Sequence, residues 1–265
     1  MSGTPPLEVR HRLRHEVGFG CPVPLSGDRC GNPFLRWHHF DPPWHVRPHY
    51  VPEGMVALCR AHHQQAQAGR FTVEELRSFK HAGRDASEEG GRWTDWTRQK
   101  VLAVVGGNFY YETPVALQIG PQPVVAFERD ADGRLLLHIN MPSTTGEPRV
   151  RIDRSDWIET GLPTELECAP GERSLRVRYA AGDVLAVELR EVAAEGALRE
   201  RYGDSALAYH LQRLGDRLEF PLLALEVTLQ IVGVLDLGPL GTRVSGGEAL
   251  PAGAFAANGA VGLQL

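Results

Sequence analysis

A chain of 265 residues, 42% hydrophobic and 23% charged, has room for one large domain or two small ones, and its composition is ordinary for a soluble globular protein. No run approaches the roughly 18–20 apolar residues of a membrane span. The opening Met1-Ser-Gly-Thr-Pro-Pro-Leu-Glu lacks the basic-then-apolar pattern of a secretory signal, so a cytoplasmic protein with no membrane partner is expected. The net charge of −5 is unevenly spread: residues 1–84 hold 11 Lys and Arg against 7 Asp and Glu, and the remainder 17 against 26. A basic head on an acidic body suits an anionic partner at the head, nucleic acid among them.

In chain order, residues 1–20 are rich in Arg and His with apolar residues between them, and open as a short strand or helix. Cys21 to Pro33 carries Pro, Gly, Ser and Asp and reads as a loop or knuckle. Phe34 to Phe40 reads as a short strand ended by Asp41-Pro-Pro43. The stretch from Gly54 turns helical at about Leu58 and stops at Gly69. Thr72 with Glu75 three residues on predicts a capped second helix. His81 to Arg92 looks like a linker, and Trp93 to Val105 like a further helix. From Asn108 the texture is that of strands: Val115–Ile119, Val124–Phe127, Arg134–Ile139, Ser174–Tyr179 and Val184–Leu189, with turns at Asp132-Gly133 and Gly182-Asp183. Ala194 to Leu214 is expected as a helical interlude, and Leu222 to Leu265 is apolar again. The division is therefore 1–84, a metal-stabilised head; 85–107, linker and helix; and 108–265, a β-rich domain, either a sandwich or a short β-solenoid. Asp153, Asp156, Trp157 and Glu159 form an acidic-aromatic group that reads either as a binding patch or as a turn before a core tryptophan.

Nine of the 11 His and three of the four Cys lie at or before His81. In a chain expected to be cytoplasmic, that clustering points to metal rather than disulfides. Structural zinc takes four Cys or His ligands in a tetrahedron. Cys59-Arg-Ala-His62 supplies two, adjacent at i and i+3 on a first helical turn. Cys21 and Cys30 supply the other two, although eight residues separate them where about two to four are usual. Cys168 stands apart and reads as a buried, inert thiol.

Cys30-Gly-Asn-Pro, then Trp37-His-His-Phe40, then Leu58-Cys-Arg-Ala-His-His63 resembles an HNH nuclease of the ββα-metal (His-Me finger) class with an embedded zinc knuckle. The resemblance covers roughly residues 15–80, and the remainder has the feel of a β-rich domain attached to bacterial HNH proteins. It implies an α+β chain with a small treble-clef-like ββα-metal domain and a mostly-β domain after it. It implies Cys21, Cys30, Cys59 and His62 as structural zinc ligands, with His62 in the place of the family's second Cys. His38 and His63 would bind a catalytic divalent cation, Mg²⁺, Mn²⁺ or another. His39 would be the general base. The family's middle Asn is missing. Gly54 stands there, leaving His49 or Glu53 to brace the loop, or His49 to serve as a third ligand of the catalytic cation.

The implied activity is metal-dependent endonucleolytic hydrolysis of DNA phosphodiesters, chemistry that a cation beside a neutral imidazole base can perform near neutral pH. Arg36, Arg47, Arg60, Arg70 and Lys80, with Trp37 and Trp44, are candidates for a phosphate-binding surface. The β-rich domain would serve target recognition, regulation or self-association into a homo-oligomer. Two other functions fit the same residues: a zinc-knuckle nucleic-acid-binding protein without hydrolysis, and a metalloenzyme acting on something other than nucleic acid.

Overall fold

The computed structural model describes residues 4–26, 28–88, 96–202 and 218–265. They form an α+β protein dominated by strands, divided into two compact units. The first unit holds Met1–Asp95 together with two short excursions from later in the chain, Ser155–Ile158 and Cys168–Arg173. Nothing in the sequence pattern around residue 84 announces these excursions. The second unit holds Trp96–Arg154, Glu159–Glu167 and Ser174–Leu265.

The first unit opens with helix α1 (Leu7–Glu16). Gly18 (φ +61°) ends it, and the Phe19 amide turns back to the Arg14 carbonyl at 2.9 Å. Strands β1 (Pro24–Leu25) and β2 (Asp28–Arg29) form a minimal antiparallel hairpin. Strand β3 (Leu35–His39) pairs antiparallel with β4 (Met55–Cys59), in a register that sets Leu35 opposite Cys59 and His39 opposite Met55. Helix α2 (Arg60–Gln67) follows β4 directly, and α3 (Val73–Glu88) follows after a turn at Gly69 (φ +70°). The helix expected from Leu58 thus begins two residues later. Met55 to Cys59 is a wholly buried apolar run, which periodicity alone cannot assign, and the edge of β3 makes it a strand. The predicted cap of α3 is present in both directions: the Glu75 amide donates to Thr72 Oγ1 (3.1 Å) and the Thr72 amide to Glu75 Oε2 (2.8 Å).

Leu13 of α1 and Val17 just after it, Trp37 of β3, Met55–Leu58 of β4, Ala66 of α2 and Leu76 of α3 share one core. Burying a residue of Leu size contributes about 1.5–3 kcal/mol. Charge is also taken inside. Asp156, only 1% exposed, lies at the head of β11 (Asp156–Glu159), which runs parallel to β3. Its carboxylate is held by Arg10 (2.6 Å) and Arg14, one turn apart on α1. Trp157 is buried edge-on against Phe34 and beneath the Arg36 guanidinium. In the second unit Asp153 pairs with His138 (3.1 Å), and the Glu159 side chain lies outside the described residues. Of this group Asp156 and Trp157 are therefore interior residues, as the reading of a turn before a core tryptophan has it. Lys80, expected on a phosphate-binding surface, is buried as well: it meets Glu16 (2.8 Å) and the carbonyls of Met55 (3.0 Å) and Pro52.

In the second unit, the helix expected over Trp93–Val105 is replaced, from Trp96 on, by a 3-10 turn (Trp96–Arg98) and strand β5 (Lys100–Val105), while Trp93 lies outside the described residues. The β-branched run is buried between two strand partners, β6 (Asn108–Tyr111) and β15 (Leu222–Ile231), and this overrides the helical spacing. One set of strands runs antiparallel in sequence: β7 (Val115–Ile119), β8 (Gln122–Arg129), β9 (Leu135–Asn140) and β10 (Arg151–Asp153), with β19 (Val261–Gln264) on the β7 edge. A second sheet carries β12 (Glu165–Glu167), β13 (Ser174–Arg178), β14 (Val184–Val192) and β15, again antiparallel, then β5, β6 and β18 (Phe255–Ala257). The hairpin β16 (Leu235–Gly238) and β17 (Gly241–Val244) branches from β15. A solenoid would stack parallel rungs, so that alternative is excluded. Of the predicted helical interlude, Glu195–Tyr202 forms α4, and residues 203–217 lie outside the described residues.

Candidate metal centre and histidine cleft

The residues Pro22 to Arg29 that separate Cys21 from Cys30 are taken up by the β1–β2 hairpin. The Cys30 amide donates to the Val23 carbonyl (2.8 Å), the Gly31 amide to the Cys21 carbonyl (2.9 Å), and the Cys21 amide to the Asn32 carbonyl (3.0 Å). This ladder brings the two cysteines together despite their spacing. A Cβ on Gly20 would lie 2.7 Å from the Gly31 carbonyl oxygen, so the two sides close only over glycine. Cys59 caps α2 and His62 follows one turn later.

Ligand atoms of Cys21, Cys30, Cys59 and His62 all lie within 4.8 Å of one another, and all four residues are buried. The Cys30 and Cys59 sulfurs are 3.8 Å apart, and His62 Nδ1 is 3.3 Å from both the Cys21 and the Cys59 sulfur. A tetrahedral zinc with Zn–S near 2.3 Å has S···S edges of about 3.8 Å and S···N edges of about 3.5 Å. The donor set and its edges are compatible with a structural zinc. Burial pushes the Cys21 thiol well up, and the neighbouring Cys30 and Cys59 push it further. Hydrogen bonds from Cys21 and Cys59 draw Cys30 down, so it is the thiol that ionises first. Burial and the cysteine neighbours push Cys21 up and Cys59 up to about 12, so without an ion those two thiols stay protonated, and a cation would have to displace their protons to bind.

Strand alternation puts Arg36 and His38 on one side of β3 and Leu35, Trp37 and His39 on the other. The His38 ring meets His63 of α2 edge to face, centroids 5.5 Å apart. Burial lowers His38 to about 4, with His39 adding to it, and burial and His38 together lower His63 to about 4. Both are therefore neutral imidazoles at physiological pH, the form that binds a metal. His38, His39, His45 and His63 line one cleft of about 460 Å³, walled by Trp37, Trp44, Phe71 and Leu76.

His39 is 6% exposed and packs against Trp44 (4.8 Å), His49 (5.1 Å, perpendicular) and Tyr50 (6.2 Å). Burial, then His49, lowers its pKa, while a hydrogen bond to the His49 backbone works the other way. Its Nε2 is buried and meets no hydrogen-bond partner among the described residues. It shares this state with other buried atoms, Trp37 Nε1 and Trp157 Nε1 among them. His49 itself is fully engaged: Nε2 donates to the Pro42 carbonyl (2.9 Å), and Nδ1 accepts from the Val51 amide (3.1 Å). In this arrangement both ring nitrogens are spent on backbone groups of the loop between β3 and β4. Glu53, the other residue considered for bracing that loop, is exposed and pairs with Arg12.

The structure thus brings together Cys21, Cys30, Cys59 and His62 in one cluster, and His38, His39 and His63 in one cleft. Of the expected basic residues, Arg36 lies close enough to Arg60 and His63 for their charges to interact. Arg36 is half-buried against Trp157, its pKa lowered by burial and then by Arg60. Arg60 is half-buried, and Arg47 and Arg70 are exposed. Sequence reasoning missed His45 and Phe71 as cleft residues and Asn32 as a packing hub, because each acquires its partners only in the fold. Among the described residues no helix is long and apolar enough to cross a membrane. No family model, no curated protein and no solved structure matches the chain.

Proposed function

We propose that the chain is a divalent-cation-dependent phosphodiesterase of the HNH type acting on DNA, with a structural zinc in the Cys3His cluster and His39 as general base. The observation that carries this reading is the pairing of the His38 and His63 rings, 5.5 Å apart, with His39 next on the strand and lining the same cleft. The order β3–β4–α2, two antiparallel strands followed directly by a helix, supports a treble-clef-like ββα-metal unit. His38 and His63 would hold the catalytic cation through neutral imidazole nitrogens, and imidazole suits zinc, nickel or cobalt better than magnesium. When bound, a divalent cation polarises a phosphate oxygen and stabilises the leaving group. His39 takes up the proton of the attacking water at Nε2, its other nitrogen being tied to the His49 backbone. Trp44 and Tyr50 fix the ring plane. The exposed Arg47 and Arg70 meet the phosphate backbone.

The test is cleavage of DNA by purified, zinc-loaded protein with Mg²⁺, Mn²⁺, Ni²⁺ or no added cation, wild type against His39→Ala. Cation-dependent cutting that falls by about 10²- to 10⁴-fold in the variant is expected. Folded, zinc-loaded protein that cuts with none of these cations sinks the reading. A second reading, a zinc-stabilised nucleic-acid-binding module without hydrolysis, is favoured by the deep burial of His39 at 6% exposure. It predicts salt-sensitive DNA binding with no cutting.

A further inference from the structure

Asn32 is completely buried beside the metal cluster, and every polar atom of its side chain is used. Its Oδ1 accepts from the Phe34 amide at 3.0 Å. Its Nδ2 donates to the carbonyls of Glu172 (2.9 Å) and Ala169 (3.2 Å) and lies 3.2 Å from the Cys168 sulfur. All three belong to the excursion Cys168–Arg173, which enters from β12, leaves into β13 and is part of the first unit. The excursion closes on itself through the Glu172 amide and the Ala169 carbonyl (3.2 Å). Gly171, at φ +81°, then directs its amide at the Cys30 sulfur, 3.4 Å away and 141 positions earlier in the chain. The left-handed backbone there suits glycine, so the sequence supplies the one residue that reaches this geometry without strain.

We propose that Cys168–Arg173 is the outer hydrogen-bond layer of the Cys3His metal centre, and that Asn32 is a positioning residue that docks it so that the Gly171 amide holds the Cys30 sulfur. The proposal rests on the cluster being a metal site, and not on the nuclease reading. A hydrogen bond to a charged acceptor is roughly twice as strong as one to a neutral acceptor, so the Gly171 contact is strongest when Cys30 is a metal-bound thiolate. Metal binding and docking of the excursion therefore favour each other, by equal amounts in both directions. Groups that orient a ligand in this way typically carry 10- to 100-fold of the metal affinity.

Two measurements on the full-length chain test it. In competition with a chromophoric chelator, Asn32→Ala is expected to bind zinc about 10- to 100-fold more weakly than wild type. In the cobalt-substituted protein its sulfur-to-cobalt absorption band shifts, which a loss of packing elsewhere does not produce. In folded wild type loaded with cadmium-113, the Gly171 amide proton is expected to couple to the metal through the Cys30 sulfur, a signal that unfolding cannot mimic. The coupling measurement stands alone if Asn32→Ala does not fold. Zinc affinity within twofold of wild type with an unshifted cobalt band, or folded cadmium-loaded protein without that coupling, overturns the proposal. A chain that binds no zinc overturns the metal-site reading itself.

Discussion

A Cβ placed on Gly54 would lie 1.8 Å from the carbonyl oxygen of Asp41 and 3.0 Å from His49 Cε1. The Gly54 carbonyl in turn accepts the amides of Phe40 (2.9 Å) and Asp41 (3.2 Å), so the two ends of the loop between β3 and β4 are clasped backbone to backbone. The position where the HNH pattern has Asn can hold only glycine here. Gly54→Asn, the substitution that would restore the motif, is expected to destabilise the first unit by at least about 3 kcal/mol and to raise no activity. Urea denaturation read by circular dichroism checks it. A variant as stable as wild type would show that the loop yields and that the clasp is not rigid.

His49 spends both ring nitrogens on backbone groups, and its ring packs perpendicular to that of His39. His49→Ala removes two hydrogen bonds, each worth about 0.5–1.5 kcal/mol net. Loop stability should fall by about 1–3 kcal/mol, with zinc content unchanged, since the Cys3His ligands are elsewhere. On the nuclease reading, cleavage falls through kcat more than KM, because the base is loosened while the phosphate contacts stay. Loss of zinc in this variant, by elemental analysis, would contradict the separation of loop and cluster.

His38 and His63 sit near 4 in the folded chain, against an ordinary imidazole value of about 6.5. Above about pH 6.5 both are neutral in either state and contribute no pH dependence. Between there and about pH 4 the unfolded chain binds protons that the folded chain refuses, so stability falls as the pH falls. Below about 4 both states are protonated and the loss is complete, on the order of 3 kcal/mol per imidazole at most. Denaturation of zinc-loaded protein from pH 7.5 to 4.5 should show a steeper acid loss for wild type than for the double variant His38→Gln/His63→Gln. Equal slopes would mean that these imidazoles are as solvated as in the unfolded chain.

The local signals were legible because their partners are near in sequence. Thr72 and Glu75 are three residues apart, and Cys59 and His62 share one helical turn. The wide Cys21–Cys30 gap hid a hairpin whose register depends only on residues between them. What could not be read depends on distant chain. Asp156 looks like a surface acid until Arg10 and Arg14, 146 and 142 positions away, close around it. Lys80 looks like a phosphate ligand until Glu16 and the Met55 carbonyl enclose it. Met55–Cys59 and Lys100–Val105 were ambiguous or misread because a short buried apolar run takes its form from the strand beside it. The cleft was foreseeable only in part: His38 and His63 follow a motif, whereas His45 and Phe71 reach it through the fold.

Asp156 makes the distant packing testable. Its carboxylate is the shared counter-ion of two guanidiniums, and Asp156→Ala would leave Arg14, itself 4% exposed, with an uncompensated buried charge. A loss of about 3–5 kcal/mol is expected, well beyond that of a surface ion pair. Because the pair is buried, added salt should recover little of it. A loss below about 1 kcal/mol in urea denaturation would show that water or another acid reaches Arg14 in the variant.

Removing the metal should separate the two units. Cys21 precedes the β1–β2 hairpin, Cys30 follows it, Cys59 ends β4 and His62 lies in α2, so one ion would fasten four points of the first unit. A structural zinc contributes on the order of 10 kcal/mol, comparable to the whole stability of a domain. The second unit has its own apolar cluster, including Leu102, Val104, Phe109 and Leu222, and carries none of these ligands. Chelation, or Cys59→Ser, is therefore expected to remove most of the helical part of the circular dichroism spectrum, since α1, α2 and α3 lie in the first unit, while most of the β signal persists. Heating the stripped protein should then show one transition where the loaded protein shows a second. A stripped protein that keeps its helices and its melting temperature would mean that the hydrophobic core alone holds the first unit, with the four ligand side chains contributing no more than ordinary buried residues.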